Sequence, residues 1–153
     1  MKKKVFITIG CPGSGKSTWT QNYVKHLSPN NYAICSADNF FIKNGVYVFD
    51  RSKLKLAHKT CQENYINALK NPQIKNIIVD NTNITKRERE FYIVEAHKYN
   101  IEPQYIIAEE FQKAVDSSGI EREMWVKFFT VRNLHGVPEE TIRRMINSYE
   151  PPV

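Results

Sequence analysis

The sequence predicts an α/β fold, a parallel sheet with helices on both faces. Short apolar runs alternate with helical patterns along the whole chain. The runs are continuous, not alternating polar and apolar, which marks strands covered on both faces. The first run also passes through a glycine-rich turn straight into a helical pattern, and parallel strands joined by helices require such crossovers.

Residues 4–9, KVFITI, read as a buried strand ending at the glycine turn, and residues 16–27 as the helix after it. YAICSA (32–37) is the second strand. Over 51–70, Leu54, Ala57, Cys61, Tyr65, Ala68 and Leu69 form the apolar stripe of an amphipathic helix. KNIIVD (75–80) is the third strand, and Thr85 with Glu88 forms a capping box that starts a helix to about Tyr99. PQYIIAEE (103–110) is the fourth strand. Residues 111–136 give no clear pattern, and Pro138 with Glu139 and Glu140 opens a last helix to about Tyr149. Ligands of parallel sheets bind at the carboxyl ends of the strands, where the features below all fall.

A chain of 153 residues fits one domain, residues 1–153, large enough for a real core. No run approaches the roughly 18 apolar residues that span a membrane. The apolar part of MKKKVFITIG is shorter than the ~7–15 residues of a secretory h-region, so a cytoplasmic protein with no membrane partner is expected. Cys11, Cys35 and Cys61 show no CxxC spacing, which predicts reduced thiols and no metal cluster. The net charge of +6 favours an anionic partner, and a generic basic protein accounts for it equally. Charge is uneven: Lys43, Arg51, Lys53, Lys55 and Lys59 stand against Asp50 alone between residues 43 and 59. A solvated helix face and a binding surface both fit that run.

Gly10, Gly13 and Gly15 are three of only six glycines in the chain. They belong to GCPGSGKS, Gly10 to Ser17, which matches G-x-x-x-x-G-K-[ST]. Glycine lets such a loop turn with positive φ and bring its N–H groups against phosphate with no Cβ in the way. The helix beginning near Lys16 adds its own N-terminal N–H groups and dipole. A mere tight turn would need no Lys-Ser pair. The nucleotide-binding segment is therefore Gly10, Cys11, Pro12, Gly13, Ser14, Gly15, Lys16, Ser17 and Thr18, for ATP or another NTP. Lys16 reaches the β- and γ-phosphates and the Ser17 hydroxyl binds Mg²⁺.

Asp80, ending the third strand, is the second anchor for Mg²⁺. A motor ATPase would follow it with Glu to activate water; Asn81 follows instead. The guanine-reading Asn-Lys-x-Asp is absent. A kinase is favoured, and a kinase needs a group to orient and deprotonate the acceptor hydroxyl. Asp38 of SADNFF, at the end of the second strand, is the candidate; a turn or helix cap is the competing account of that residue.

At this point the residues resemble a known family. TIGCPGSGKSTW closely resembles the opening of the kinase half of phage 5′-polynucleotide kinases. SADNFF, GVYVFD, LKLAH, IIVDNTN and VRNLHGVP…TIRRMINSYE look still more like the polynucleotide-kinase-like domain of an animal ubiquitin-ligase-binding protein family. The resemblance runs from Lys3 to Glu150. It implies a P-loop kinase-type three-layer sandwich, its four strands ordered 2-3-1-4, with a flexible lid around 111–136. It implies Lys16, Asp38 as general base and Arg132 of the lid as catalytic residues, with Ser17 and Asp80 as metal ligands. It implies acceptor contacts from Thr82 and Asn83, and from position 41. There the phage enzymes carry an arginine and this chain has Phe41. A second lid arginine is replaced by His135. The implied reaction is γ-phosphoryl transfer to a hydroxyl, most directly the 5′-OH of a nucleic acid partner. A small-molecule or nucleotide kinase and a non-catalytic nucleotide-binding module are the alternatives.

Further residues keep two readings each. His58, near the apolar stripe, is expected in a core or cap role. Phe40, Phe41, Tyr47 and Phe49 interleave with the basic run and either pack in the core or stack bases. Of Arg143 and Arg144, one can face phosphate, and a solvated face serves equally.

Overall fold

The four apolar runs pair as one parallel sheet. A computed structural model describes residues 2–152. Its strands are β1 (Lys4–Ile9), β2 (Tyr32–Cys35), β5 (Asn76–Val79) and β6 (Gln104–Ile107), ordered β2-β5-β1-β6, which is the expected 2-3-1-4 arrangement. Register is set by pairs such as Ile7 with Val79 and Cys35 with Val79 on one side, and Ile9 with Ile107 on the other. Two antiparallel strands outside the sheet, β3 (Ile42–Lys43) and β4 (Val46–Tyr47), form a short hairpin turned by Asn44-Gly45.

The twofold alternation of strand side chains builds the layers. On one face Phe6, Ile34, Ile78 and Ile106 meet Trp19, Tyr23 and Val24 of α1 (Lys16–Val24). On the other, Val5, Ile7, Ile77 and Val79 pack against Ala57, Cys61 and Tyr65 of α2 (Leu54–Lys70) and Tyr92 and Ala96 of α3 (Lys86–His97). Ile7, Ile9, Ile77, Ile78 and Val79 are fully buried, each worth about 1.5–3 kcal/mol of transfer from water. A second cluster at the open end of β1 joins Ile9 to Phe111 of α4 (Glu109–Asp116), Val126 and Phe129 of α5 (Gly119–Arg132), and Ile142 of α6 (Glu139–Ser148).

The structure corrects three expectations. The fourth strand stops at Ile107, because Glu109 and Glu110 favour a helix N-terminus and Phe111 and Ala114 turn inward at helical spacing. The unpatterned stretch 111–136 is two helices, α4 and α5, followed by a loop that Asn133 staples: its Nδ2 donates to Thr130 O (2.9 Å) and its Oδ1 accepts from Val137 N (2.8 Å). His58, in the first turns of α2, is exposed and makes no core contact of the kind expected. The Thr85–Glu88 box forms as expected, with Thr85 Oγ1 accepting from Glu88 N (3.2 Å). No helix among the described residues is long and apolar enough to cross a membrane.

Candidate active site

The carboxyl ends of β1, β2 and β5 open into a cleft of about 520 Å³, within the range of small-ligand sites. Its floor is the Gly10–Ser17 loop. A Cβ on Gly10 would stand 2.5 Å from Ser14 Oγ, whose hydroxyl donates to Cys11 O (2.6 Å). Gly13 has φ +83°, and a Cβ there would meet the Phe129 carbonyl at 2.7 Å. Glycine thus lets the loop dock directly on the last turn of α5. Ser17 and Thr18, in the first turn of α1, face solvent in the cleft.

Lys16 bridges the loop from inside, its Nζ donating to Cys11 O (3.3 Å). Desolvation pulls its pKa below the usual lysine value, while Asp80 and Asp38 oppose the fall. An ammonium held by distant carboxylates in a partly dry loop suits an anion with several charges. Burial pushes the Cys11 thiol up to about 12, so it is a neutral packing group.

Asp80 follows β5 and lies in the cleft. Its Oδ1 accepts from the Thr8 hydroxyl (3.1 Å), and its backbone N–H is fixed on Cys35 O (2.9 Å). Together with the exposed Ser17 hydroxyl this provides hard oxygen donors of the kind Mg²⁺ takes. Asn81 is not a substitute for a water-activating acid: its Oδ1 accepts from Ala37 N (2.9 Å), tying the end of β5 to the segment carrying Asp38.

Asp38 stands in a short 3₁₀ turn, Ala37–Phe41, that continues β2. Ser36 holds the N-cap position of that turn, and no backbone N–H among the described residues donates to the Asp38 carboxylate, so the cap reading of Asp38 falls away. Its carboxylate is 56% exposed in the cleft. His135 Nδ1 lies 3.3 Å from Oδ2, and the Tyr47 hydroxyl reaches Oδ1 at 3.5 Å. The Tyr47 and His135 rings pack at 4.3 Å. Burial and the nearby Asp38 charge push the Tyr47 phenol up to about 12.

Arg132 lines the cleft from the end of α5. Its Nη1 donates to both carboxylate oxygens of Glu110 (3.0 and 2.9 Å), and its guanidinium lies 4.8 Å from the centre of the Phe128 ring. Thr82 also lines the cleft, its hydroxyl 3.4 Å from Glu88 Oε2.

Two expected acceptor contacts do not reach the cleft. Asn83 is buried at φ +50°, with Nδ2 donating to Thr8 O (2.8 Å), Asn81 O (3.2 Å) and Val79 O (3.3 Å). It holds the loop after β5 in shape and has no donor to offer. Phe41 is buried with its ring against Phe40, Tyr47 and Phe49, so it is core. Phe49 alone of the four aromatics is exposed, at 49%. Arg143 faces Glu123, Glu139 and Glu140 (2.7, 2.6 and 3.0 Å), and Glu123 and Glu139 hold its pKa above the ordinary arginine value. It is not a free phosphate ligand.

Sequence reasoning missed Arg89. It is 1% exposed and donates to Asn83 O (2.7 Å), Ile84 O (3.2 Å) and Glu150 O (2.6 Å), pinning the loop after β5 to the end of the chain. A charge at an inward position of α3, in line with Tyr92 and Ala96, was the available signal.

Three comparisons bear on this site. The AAA domain family matches residues 5–152. Human NEDD4-binding protein 2 is 33% identical over 147 residues, which cover 92% of this chain and 7% of that protein's length. A solved structure titled as the Pnkp1/Rnl/Hen1 RNA repair complex is similar over 96% of this chain and 44% of the matched one, with a TM-score of 0.64 and 18% identity. A second structure of the Pnkp1/Rnl/Hen1 complex matches 71% of this chain and 36% of the other at a TM-score of 0.55 and 23% identity. At those identities the likeness is one of fold.

Proposed function

The chain belongs to the AAA domain family and is polynucleotide kinase-like in its P-loop architecture, and from that premise we propose that it transfers the γ-phosphoryl group of an NTP to the 5′-hydroxyl of a nucleic acid. The observation that carries the proposal is Asp38: an exposed, uncapped carboxylate in the same cleft as Lys16. Nucleotide binding alone has no use for it.

Asp38 accepts a hydrogen bond from the acceptor hydroxyl, aims its oxygen at the γ-phosphorus, and takes the proton as the new P–O bond forms. The bond to the β-phosphate oxygen breaks and the nucleoside diphosphate leaves. Lys16 and the loop N–H groups hold the β- and γ-phosphates throughout. Ser17 and Asp80 would hold Mg²⁺, which when bound neutralises charge on those oxygens. Arg132 exchanges Glu110 for the transferring group, meeting its charge most fully in flight. Asn81, its amide oxygen committed to Ala37, stands where a motor ATPase would carry a water-activating acid after the strand-end aspartate, which supports transfer over hydrolysis.

The test is incubation with γ-labelled ATP and Mg²⁺ against 5′-OH RNA and DNA oligonucleotides, nucleosides and sugars. Label on the 5′ ends of oligonucleotides is the expected result. Label on nucleosides or sugars alone, or release of inorganic phosphate without an acceptor, contradicts it.

A further inference from the structure

The hairpin and the start of α2 form a face whose charge the fold leaves unanswered. Lys43, Arg51, Lys53, Lys55 and Lys59 are all exposed, and none makes an ion pair or a side-chain hydrogen bond among the described residues. Asp50, the one acid between residues 43 and 59, accepts from Ser52 N (3.0 Å) and Ser52 Oγ (2.6 Å). Those bonds, and after them the Lys53 and Lys43 charges, hold its carboxyl below the usual range. Glu63, one helical turn after Lys59, makes no ion pair with it among the described residues. Lys55 and Lys59 lie one helical turn apart, opposite the inward side of Ala57 and Cys61.

Apolar side chains interleave with these cations. Val46, Val48 and Phe49 are about half exposed or more, and Phe49 has Phe41 behind it at 5.0 Å. With that contact about half of Phe49 stays open to solvent. The hairpin borders the cleft: Ile42 lines it with Asp38 and Asn39, and Lys43 and Val46, the next pair of the hairpin, lie just beyond its edge. A cationic surface carrying a braced aromatic ring suits a flexible polyanion with π faces, that is, single-stranded nucleic acid.

We infer that the face formed by Lys43, Phe49, Arg51, Lys53, Lys55 and Lys59 binds the single-stranded nucleotides that follow the 5′ end of the acceptor. This rests on the proposed 5′-hydroxyl acceptor for its position, and on charge and exposure for its chemistry. The phosphates lie along the lysines and one base rests on Phe49. The acceptor is thereby selected as a polymer.

The test is fluorescence anisotropy with labelled 12-nucleotide single strands of RNA and of DNA, at several salt concentrations. Lys53→Ala/Lys55→Ala/Lys59→Ala should weaken binding at least about 10-fold near 0.1 M salt. It should also flatten the slope of log affinity against log salt by about 2, at roughly 0.7 per lost phosphate contact on a single strand. Phe49→Leu should weaken binding about 5-fold or more with the slope kept, since stacking carries no counterion release. Circular dichroism checks that both variants keep the wild-type fold. Unchanged affinity and slope in the folded triple variant overturn the inference. So does equal affinity for blunt duplex, or tighter binding to vesicles of anionic phospholipid than to the single strand. If the wild type binds strands through this face yet transfers no phosphate, the surface stands and the kinase reading fails. If it transfers phosphate and the triple variant binds normally, the kinase reading stands and the surface fails.

Discussion

The two sides of the cleft both expose apolar side chains and both carry cations, but one pairs three of its arginines, leaving Lys127 and Arg144 exposed, while the other pairs none of its cations among the described residues. On the lid side Ile120, Met124, Val131 and Leu134 are mostly exposed. There Arg132 is held by Glu110, Arg143 by three glutamates, and Arg122 by Val115 O and Asn147 Oδ1. On the hairpin side Lys43, Arg51, Lys53, Lys55 and Lys59 have a single acid among them, and Ser52 already occupies it. Net charge alone hides this difference. A paired arginine is a joint that can open during a reaction cycle; an unpaired lysine is a standing attraction for phosphate, screened by salt.

The floor between the two sides offers the largest effect. Lys16→Ala should abolish transfer and weaken NTP binding while leaving the fold intact, because in the proposed reaction the lysine meets the β- and γ-phosphates, and its side chain makes a single hydrogen bond among the described residues, to the Cys11 carbonyl. Circular dichroism with an NTP-binding titration checks both halves. Activity near wild type in the folded variant removes the loop from the account.

Next is the paired side. Arg132→Ala should lower kcat by about 10²–10³-fold and raise the NTP KM less, as expected of a group that meets charge chiefly in the transition state. Equal effects on kcat/KM and on ground-state affinity would make Arg132 a binding residue like those of the hairpin side, and the contrast between the sides would collapse.

The junction of floor and lid is tested through stability. Gly13→Ala puts a Cβ within 2.7 Å of the Phe129 carbonyl at φ +83°. It should cost about 1–3 kcal/mol, or roughly 2–4 °C of Tm for each kcal/mol in a chain of this size. An unchanged Tm would mean that loop and lid are not packed as described.

The smallest effect sharpens the contrast between a dry floor and a wet rim. Burial raises Cys11 and Cys35 from 9.0 to about 12. A folded pKa above the unfolded one gives stability that is complete below pH 9 and declines as pH rises toward 12. Tm should therefore hold from pH 7.5 to 9 and fall by pH 10 and beyond, and the native thiols should alkylate slowly at pH 8. Fast native labelling would contradict the packing of the floor.

The sheet, its order and the loop were legible because continuous apolar runs and the Gly10–Ser17 spacing each admit few structures. Residues 111–136 were not, because Ile120, Met124 and Val131 face solvent while Val126 and Phe129 face the core, which blurs the helical period of α5. In the site, Lys16, Asp38, Asp80, Thr82 and Arg132 all border one cleft. Phe41 and Asn83 were misjudged for one shared reason: residue type and position do not reveal which way a side chain turns. Asn83 turns inward to donate to the Thr8, Val79 and Asn81 carbonyls, with its backbone at φ +50°. Phe41 is buried with Ala37 at the two ends of the 3₁₀ turn, while Asp38 and Asn39 between them are exposed, a split that no 3₁₀ periodicity announces.

The central claim is that Asp38 does chemistry. Asp38→Asn keeps the shape of the side chain and can still orient a hydroxyl, but it cannot take the proton. The direct measurement is single-turnover transfer from γ-labelled ATP to a 5′-OH oligonucleotide by wild type and variant, with NTP affinity measured in parallel. The predicted result is a loss of about 10²–10⁴-fold in the transfer rate with NTP affinity nearly unchanged. A variant transferring at the wild-type rate would contradict the account.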